Sequence, residues 1–579
     1  MHRGVFAFDF DGTIAEHGQV PDDLCALLEQ MSTEGSALFL VTGRRAESLD
    51  LGELRSVFTG IVWENGAVLQ HIETDEFLLP FGALDSNLVA RLEATGAGFE
   101  HGRAILATST EHEPSVRRVI DEWGGDAVVV HNKGAVMILP PGAAKGAGLD
   151  RMLAICGFSP RNLVSFGDGE NDLSLLGLAD IGVAVADAVP ALLAAADLVS
   201  NANGPAGVAD SLRRYWGDSD SLEVEPRHLH PILLGSDSLG VAVSISCRDL
   251  ATGSLGVFGD SASGKSFVAG LLAEGMHHAG YQVIIIDPEG DHRGLRTLPG
   301  FVAIDADADG ELSMPPAFVC ALLEMANVSV VLDLCSVETN ARAGYIADLL
   351  RRLRLLRTRR FRPHWILLEE AQHVLIRSGG EVEAELAALT AEGGTAIVSY
   401  CPDRLPSTVL RTLDHLLLTP LSDPNGIASV RLDAAGPLGD GPLDIDAGEI
   451  LICDRRRRVV VRLRPLERRV PHVRHLRKYL HTPLPWHKRF RFRVDAGPTG
   501  IEAASLLEFS SCLRTITDES LTYHSRRGDF AIWAAGSLGD ELLASQLRSL
   551  GERSLPVAEL RAALVQLVSH RCDELAEFG

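Results

Sequence analysis

The chain has 579 residues, 46% of them hydrophobic, and a formal net charge of −25, so it should hold three or four domains of roughly 100–200 residues and is too acidic to be a general nucleic-acid binder. No apolar run reaches the roughly 18 residues of a membrane span, and Met1-His2-Arg3-Gly4 leads into a strand pattern instead of a secretory leader, so a cytoplasmic protein without membrane partners is expected. The nine cysteines contain no Cys-x-x-Cys pair, which argues against a zinc ribbon or a disulfide framework.

Residues 1–210 alternate short apolar runs with helical patterns. Val5–Phe8, Ala37–Val41, Val128–Val130, Val136–Leu139 and Leu163–Phe166 read as strands, with helices such as Asp22–Met31 and Lys145–Cys156 between them. This alternation predicts a parallel sheet with crossover helices. The first strand runs into Asp9-Phe10-Asp11-Gly12-Thr13. Residues i and i+2 of an extended chain share a side, so Asp9 and Asp11 project together at the carboxyl edge of the sheet, where open α/β sheets place their sites. Two such carboxylates repel unless a cation or proton lies between them, which predicts Mg²⁺. One carboxylate can attack phosphorus, while the other protonates the leaving oxygen and then activates water.

Later strands end in matching chemistry. Thr42-Gly43-Arg44 follows Ala37–Val41, and a hydroxyl and a backbone N–H there can hold a phosphoryl oxygen. Lys145 opens a helix and can neutralise the nucleophile and the transferring group. Gly167-Asp168-Gly169-Glu170-Asn171-Asp172 brings further carboxylates to the same edge.

In this order the four motifs resemble the haloacid-dehalogenase superfamily. The resemblance implies Asp9 as nucleophile and metal ligand, and Asp11 as acid/base with its carbonyl on the metal. It implies Thr42 and Asn171 on phosphate, Lys145 as charge stabiliser, Asp168 as metal ligand and Asp172 as ligand or its support. The insertion between Thr42 and Lys145 resembles the cap of Cof-type and sugar phosphatases, as do the Glu64-Asn65-Gly66-Ala67 turn and Gly204-Pro-Ala-Gly-Val-Ala209. A Rossmannoid domain is expected over 1–214, with its core at 1–81 and 141–214 and a small α+β cap over about 82–140. The cap should set specificity toward a small phosphorylated substrate; His101 and Arg103 are candidates to meet it.

Polar, turn-rich residues 215–230 read as a linker. A second alternating block covers 231–470, with strands at Gly253–Phe258, Gln282–Ile286, Ser329–Leu334, His364–Leu368 and Thr395–Ser399. Gly259-Asp260-Ser261-Ala262-Ser263-Gly264-Lys265-Ser266 stands between the first of these and a helical run, Phe267–His278. A strand–loop–helix of this composition cradles phosphates. Lys265 is expected on the β/γ-phosphates of ATP and Ser266 on Mg²⁺. Glu369 and Glu370, after His364–Leu368, should act on Mg²⁺ and polarise the attacking water. Asp287-Pro288-Glu289-Gly290-Asp291, Ser399-Tyr400-Cys401-Pro402 and Leu421-Ser422-Asp423-Pro424 complete the set.

These features resemble the HerA/FtsK branch of P-loop ATPases. The resemblance implies a RecA-like α/β domain and a homo-oligomeric ring, with Arg404 or Arg411 completing a neighbour's site. Glu369 stands where the branch usually has Asp, and Tyr400 and Cys401 fill the Ser-x-x-Pro stretch where it usually has a sensing Gln; both departures bear on hydrolysis, not on nucleotide binding.

Charge is uneven: about 14 basic against about 30 acidic residues over 1–215, and about 22 against about 17 over 345–480. The arginine-dense stretch Arg351–Arg362 carries leucines at helical spacing, and Arg455–Arg458 forms a second run. Either can meet nucleic-acid phosphates, or pair with acidic neighbours, the phosphatase domain among them. His472, His475, His481 and His487 lie in the basic connector that opens 471–579, and no cysteine or carboxylate supports them as a metal site. The rest of that segment is helix-patterned and is assigned to regulation or assembly.

Three functions remain open. One is a metabolic phosphatase with an ATP-dependent regulator, and another a nucleic-acid motor with a phosphatase for terminal phosphates or nucleotides. The third is a nucleotide-gated assembly whose ATPase barely turns over.

Overall fold

A computed structural model describes residues 4–577 except 133, 217–229, 306–313, 336, 338, 376–379, 432–437, 439–442, 471–479, 481–483, 485–487, 539 and 554. Most of the linker, and His472, His475, His481 and His487 with Arg474, Arg477, Lys478 and Tyr479, lie outside the described residues. Among the described residues no helix is long and apolar enough to cross a membrane, and all nine cysteines are free thiols.

The chain is an α/β protein with two large sheets. The first has eight strands, in the order Leu198–Val199, Ile181–Ala184, Leu163–Gly167, Val5–Asp9, Ala37–Val41, Gly60–Trp63, Val68–His71 and Phe77–Leu78. The first six run parallel; Val68–His71 returns antiparallel to Gly60–Trp63, and Phe77–Leu78 turns back antiparallel to Val68–His71. Val5–Asp9 is central and buried throughout, which explains its unbroken apolar run. Phe8 pairs with Phe166, and Asp9 with Val41. This register puts Asp9, Thr42 and Asp168 at neighbouring strand ends.

Val128–Asn132 and Ala135–Leu139, read from sequence as the strands Val128–Val130 and Val136–Leu139 of an alternating parallel pattern and lying within the expected cap, form an antiparallel hairpin in a separate four-stranded sheet with Leu106–Ser109 and Glu100–His101. Two residues between the strands suffice for a hairpin, whereas a parallel pair needs a long crossover. Helices Ser86–Glu93 and Glu113–Trp123 cover this sheet, and Leu88, Leu92, Leu106, Val116, Val119 and Ile138 form its small core.

The second large sheet has eleven strands. Seven are parallel, in the order His415–Leu418, Ser254–Phe258, Thr395–Ser399, Trp365–Leu368, Val283–Asp287, Ser329–Asp333 and Phe301–Asp305. Four antiparallel strands extend the His415–Leu418 edge: Ile450–Asp454, Val459–Pro465, Pro231–Ser236 and Ala242–Ser246. One strand, Thr395–Ser399, separates the strand before the Gly259–Ser266 loop from the strand before Glu369.

Beyond residue 489 a hairpin, Phe490–Val494 with Gly497–Ala503, precedes five helices from Leu506 to Glu577. Phe490, Phe492, Phe509, Phe530 and Trp533 cluster in their core. The two large sheets also meet across polar contacts. Arg161 Nε donates to Ala279 O at 2.9 Å, Tyr281 Oη donates to Asp180 Oδ2 at 3.1 Å, and Asn162 Nδ2 lies 3.0 Å from His364 Nδ1.

Candidate active sites

At the carboxyl edge of the eight-stranded sheet, the buried Lys145 ammonium donates to Asp9 Oδ1 and Asp172 Oδ1, each at 2.6 Å. Thr13 Oγ1 lies 3.2 Å from Asp9 Oδ2 and 3.4 Å from Asp168 Oδ1, tying the first motif to the last. Asp172 Oδ2 accepts the N–H groups of Asp168 and Gly169 at 3.0 and 2.9 Å, which fixes the loop that carries Asp168. Burial pushes the Asp9 carboxyl up to about 8, the Asp172 charge adds to the rise, and Lys145 opposes both. Burial alone would pull Lys145 down, yet the Asp172 and Asp9 charges hold it above the ordinary lysine range. Asp9, Asp168 and Asp172 have carboxylate oxygens within 4.8 Å of one another. Three carboxylates against one ammonium leave an excess of negative charge in a buried place, which fits a hard divalent cation.

Asp11 points elsewhere. Arg44 grips its carboxylate with two bonds, Nε to Oδ2 at 2.7 Å and Nη2 to Oδ1 at 2.6 Å. The Asp11 side chain is therefore outside the three-carboxylate group, as an acid/base residue that binds metal through its carbonyl can be. Arg44 was part of the Thr-Gly-Arg motif, but its role as the clamp on Asp11 was not read from the sequence. The Thr42 N–H donates to Val62 O at 2.8 Å, while its hydroxyl accepts from Arg44 N at 3.2 Å. The hydroxyl, whose own proton can still donate, is thus the group of Thr42 suited to a phosphoryl oxygen.

The turn Glu64–Gly66 organises the rest. A Cβ on Gly66 would stand 1.9 Å from Ala144 O; only glycine lets the turn press against the start of the Lys145 helix. Asn65 accepts from Asn171 Nδ2 at 3.0 Å, which joins this turn to the last motif. Glu64 is fully buried and accepts the N–H groups of Arg103 at 2.7 Å and Ala104 at 2.9 Å. A core carboxylate so anchors the chain that enters the cap sheet. Glu64→Ala would strand one buried and one part-buried donor and lower stability by about 3 kcal/mol, visible as a fall in Tm. An unchanged Tm would mean that the cap is anchored elsewhere.

His101 and Arg103 pair with acids: His101 meets Glu93 at 3.0 Å and Arg103 meets Glu47 at 2.9 Å. A cavity of about 310 Å³ lies between Asn65, Lys145, Asn171 and Val129–His131 of the cap sheet.

In the second site, Gly259–Ser266 joins Ser254–Phe258 to the helix Lys265–His278. Gly264 sits at φ 105°, where a glycine is favoured. Lys265 Nζ donates to Asp260 O at 2.9 Å, and Ser263 bonds the Thr419 hydroxyl. Ser261 O accepts from Lys488 Nζ at 3.1 Å. Gly259 packs on Thr419, where a Cβ would collide.

Glu369 is buried and bound to the buried His292, Oε1 to Nε2 at 2.6 Å. Burial works against a charge on His292, and the bond to Glu369 together with the Glu369 and Asp287 charges outweighs it and raises its pKa. Glu370 holds a left-handed backbone at φ 47° and accepts from the Gln372 amide. A left-handed non-glycine residue stores strain of the kind found at functional sites. Glu370 also groups with Glu289 and His373. Asp287, at the end of the neighbouring strand, accepts N–H bonds from Glu289, Gly290 and His292 and shapes the Asp-Pro-Glu-Gly turn. His292 and Lys488 carried no sequence signal, because their roles depend on contacts 77 and 227 residues apart. Arg404 and Arg411 are exposed on the segment after Thr395–Ser399.

The arginine stretch lies on the helix Thr339–Arg360. Arg351 and Arg352 pair with Asp348, Arg354 with Glu385 and Glu392, and Arg359 and Arg360 with Glu324. Their acidic partners thus come from the same α/β unit. The N-terminal unit contributes the Phe158 carbonyl to Arg362 and the Phe158 ring to Arg360. In the second run, Arg455 bonds carbonyls of Leu410, Leu413 and Val430, and Arg456 pairs with Asp414.

Two family models match parts of the chain. The family model for haloacid dehalogenase-like hydrolases matches residues 103–212, and that for the central domain of helicase HerA matches residues 233–357. Over 221 residues the chain is 39% identical to a phosphoglycolate phosphatase of Halorubrum lacusprofundi, covering 36% of this chain and 96% of that one. It is 25% identical to a phosphoglycolate phosphatase of Sulfurisphaera tokodaii over 37% of this chain and 95% of the relative. A 116-residue stretch is 38% identical to the chloroplastic endoribonuclease YBEY of Arabidopsis thaliana, covering only 20% of either chain. Among solved structures, a haloacid dehalogenase-like hydrolase from Bacteroides thetaiotaomicron matches 37% of this chain and 99% of its own, at 17% identity and a TM-score of 0.33.

Proposed function

Since the chain belongs, over its first third, to the haloacid dehalogenase-like hydrolases and carries a HerA-like domain behind it, we propose that it hydrolyses a small phosphate monoester at Asp9 and binds ATP at Gly259–Ser266. The observation that carries the first part is the convergence of Asp9, Thr13, Lys145, Asp168 and Asp172 in one buried group. The observation that carries the second is a phosphate loop opening a helix, one strand removed from Glu369 and Glu370.

In this reading an Asp9 oxygen attacks phosphorus and forms an aspartyl-phosphate. Lys145 compensates the charge of the nucleophile and of the transferring group. The Thr42 hydroxyl, with Asn171, holds a phosphoryl oxygen. Asp11, once released by Arg44, gives its proton to the leaving oxygen; it then takes a proton from the water that attacks the aspartyl-phosphate. Bound by Asp9, Asp168, the Asp11 carbonyl and, directly or through support, Asp172, Mg²⁺ would supply charge neutralisation between carboxylates and phosphate. In the ATP site Lys265 would meet the β/γ-phosphates, Ser266 and Glu369 would hold Mg²⁺, and Glu370 would orient the attacking water. Arg404 or Arg411 would act on a neighbouring copy in a ring.

The relatives named phosphoglycolate phosphatase favour a small ester. The engagement of the arginine runs with Glu324, Asp348, Glu385, Glu392, Asp414 and main-chain carbonyls gives a nucleic-acid track no support. The test is Mg²⁺-dependent phosphate release from phosphoglycolate, sugar phosphates, nucleotides and 5′-phosphorylated oligonucleotides, each with and without ATP. The small esters should give the highest kcat/KM. A preference for oligonucleotide ends would overturn this reading in favour of a nucleic-acid enzyme.

A further inference from the structure

We propose that Lys488, which belongs to the C-terminal domain, is a second phosphate-contacting cation of the ATP site and reads the γ-phosphate within its own chain. The inference rests on nucleotide binding at Gly259–Ser266. Two ammonium groups hold consecutive carbonyls of that loop: Lys265 Nζ on Asp260 O at 2.9 Å and Lys488 Nζ on Ser261 O at 3.1 Å. Lys265 is local to the loop, whereas Lys488 is 227 residues away in sequence.

The C-terminal domain fixes the main chain from which Lys488 reaches. Lys488 O accepts the Trp533 indole N–H at 2.9 Å. Trp533 is itself buried, with its ring 5.6 Å from Phe490 and 4.7 Å from Phe509. The neighbouring Arg489 Nε donates to Leu484 O at 3.0 Å. The lysine is half-buried and its backbone is anchored in a packed aromatic core, unlike a freely sampling surface lysine.

A loop of this kind turns its N–H groups toward the phosphates. An ammonium beside it exchanges a neutral carbonyl acceptor for an anionic oxygen when the terminal phosphate arrives, and charge-assisted bonds are roughly twice as strong as neutral ones. A lysine has three donors on a flexible stem, so it can follow the phosphate without unseating Trp533. ADP lacks the terminal phosphate and leaves Lys488 on Ser261. The nucleotide state is thereby felt by the C-terminal domain.

The experiment is calorimetric titration of the full chain with ATP and with ADP, both with Mg²⁺, for the parent, Lys488→Met, Lys488→Gln, Lys488→Arg and Lys265→Ala. Both neutral variants should weaken ATP roughly tenfold, the scale of one lost charge-assisted bond, and leave ADP within about twofold. Lys488→Arg should restore most of the ATP affinity. Unchanged ATP binding in the neutral variants, or equal weakening of ATP and ADP, overturns the inference; equal weakening would mark Lys488 as a structural clamp on the loop. If the parent fails to bind ATP, or Lys265→Ala binds it normally, the nucleotide-site reading falls and takes this inference with it.

Discussion

The Asp9→Asn protein should release phosphate from an aryl phosphate on the order of 10⁴-fold more slowly than the parent, the scale on which loss of a nucleophile cripples an enzyme. The substitution is nearly isosteric. An amide oxygen can still accept from Lys145, which holds the present carboxylate at 2.6 Å, and the surrounding strands are closely packed on Phe8 and Phe166. What disappears is the anionic oxygen that attacks phosphorus. ATP binding should be unchanged, because Asp9 and the Gly259–Ser266 loop stand on different sheets. Persistence of phosphate release would remove Asp9 from its assigned role.

Lys265→Ala should produce the complementary result, with ATP affinity reduced by about 100-fold or more and the phosphatase rate retained. Lys265 is buried and stands at the first position of its helix, where the phosphates would meet both its ammonium and the helix N-terminus. Alanine favours the helix, so the fold is not at risk. Calorimetric titration with ATP measures the loss directly. Unchanged binding would refute the phosphate-loop reading.

The parts of the molecule that were legible from sequence are those whose chemistry is local. Strands Ala37–Val41 and Thr395–Ser399 were read with the bounds they have in the structure, and the remaining strands read in the second α/β unit fall within one residue of theirs. These are buried parallel strands, written as continuous apolar runs. Half-buried or edge strands were missed, among them Phe301–Asp305, Val459–Pro465 and Leu106–Ser109, and so were the short buried parallel strands Gly60–Trp63, Ile181–Ala184 and His415–Leu418. Phe490–Val494 did carry a signal. Its alternation of buried Phe490 and Phe492 with exposed Arg491 and Arg493 has the period of a strand, but it was absorbed into a basic run.

The sites follow the same rule. Asp9, Lys145 and Asp172 could be named because each belongs to a motif at a strand end or helix start, and the structure brings them together. The hold of Arg44 on Asp11, the Glu64 anchor under the cap and the His292–Glu369 bond join residues 33 to 77 positions apart or two connections of the chain. Pairings of that kind depend on topology, which no local pattern records.

The most direct test of the central claim is acid-quenched labelling. The full chain is mixed with Mg²⁺ and a phosphate-labelled small ester, such as phosphoglycolate, and quenched in acid at successive times. A labelled protein adduct that is stable in acid, released by hydroxylamine and absent from the Asp9→Asn variant is the expected result. Adduct formation in that variant, or phosphate release by the parent with no adduct at any quench time, would contradict Asp9 as the residue that takes up the phosphoryl group.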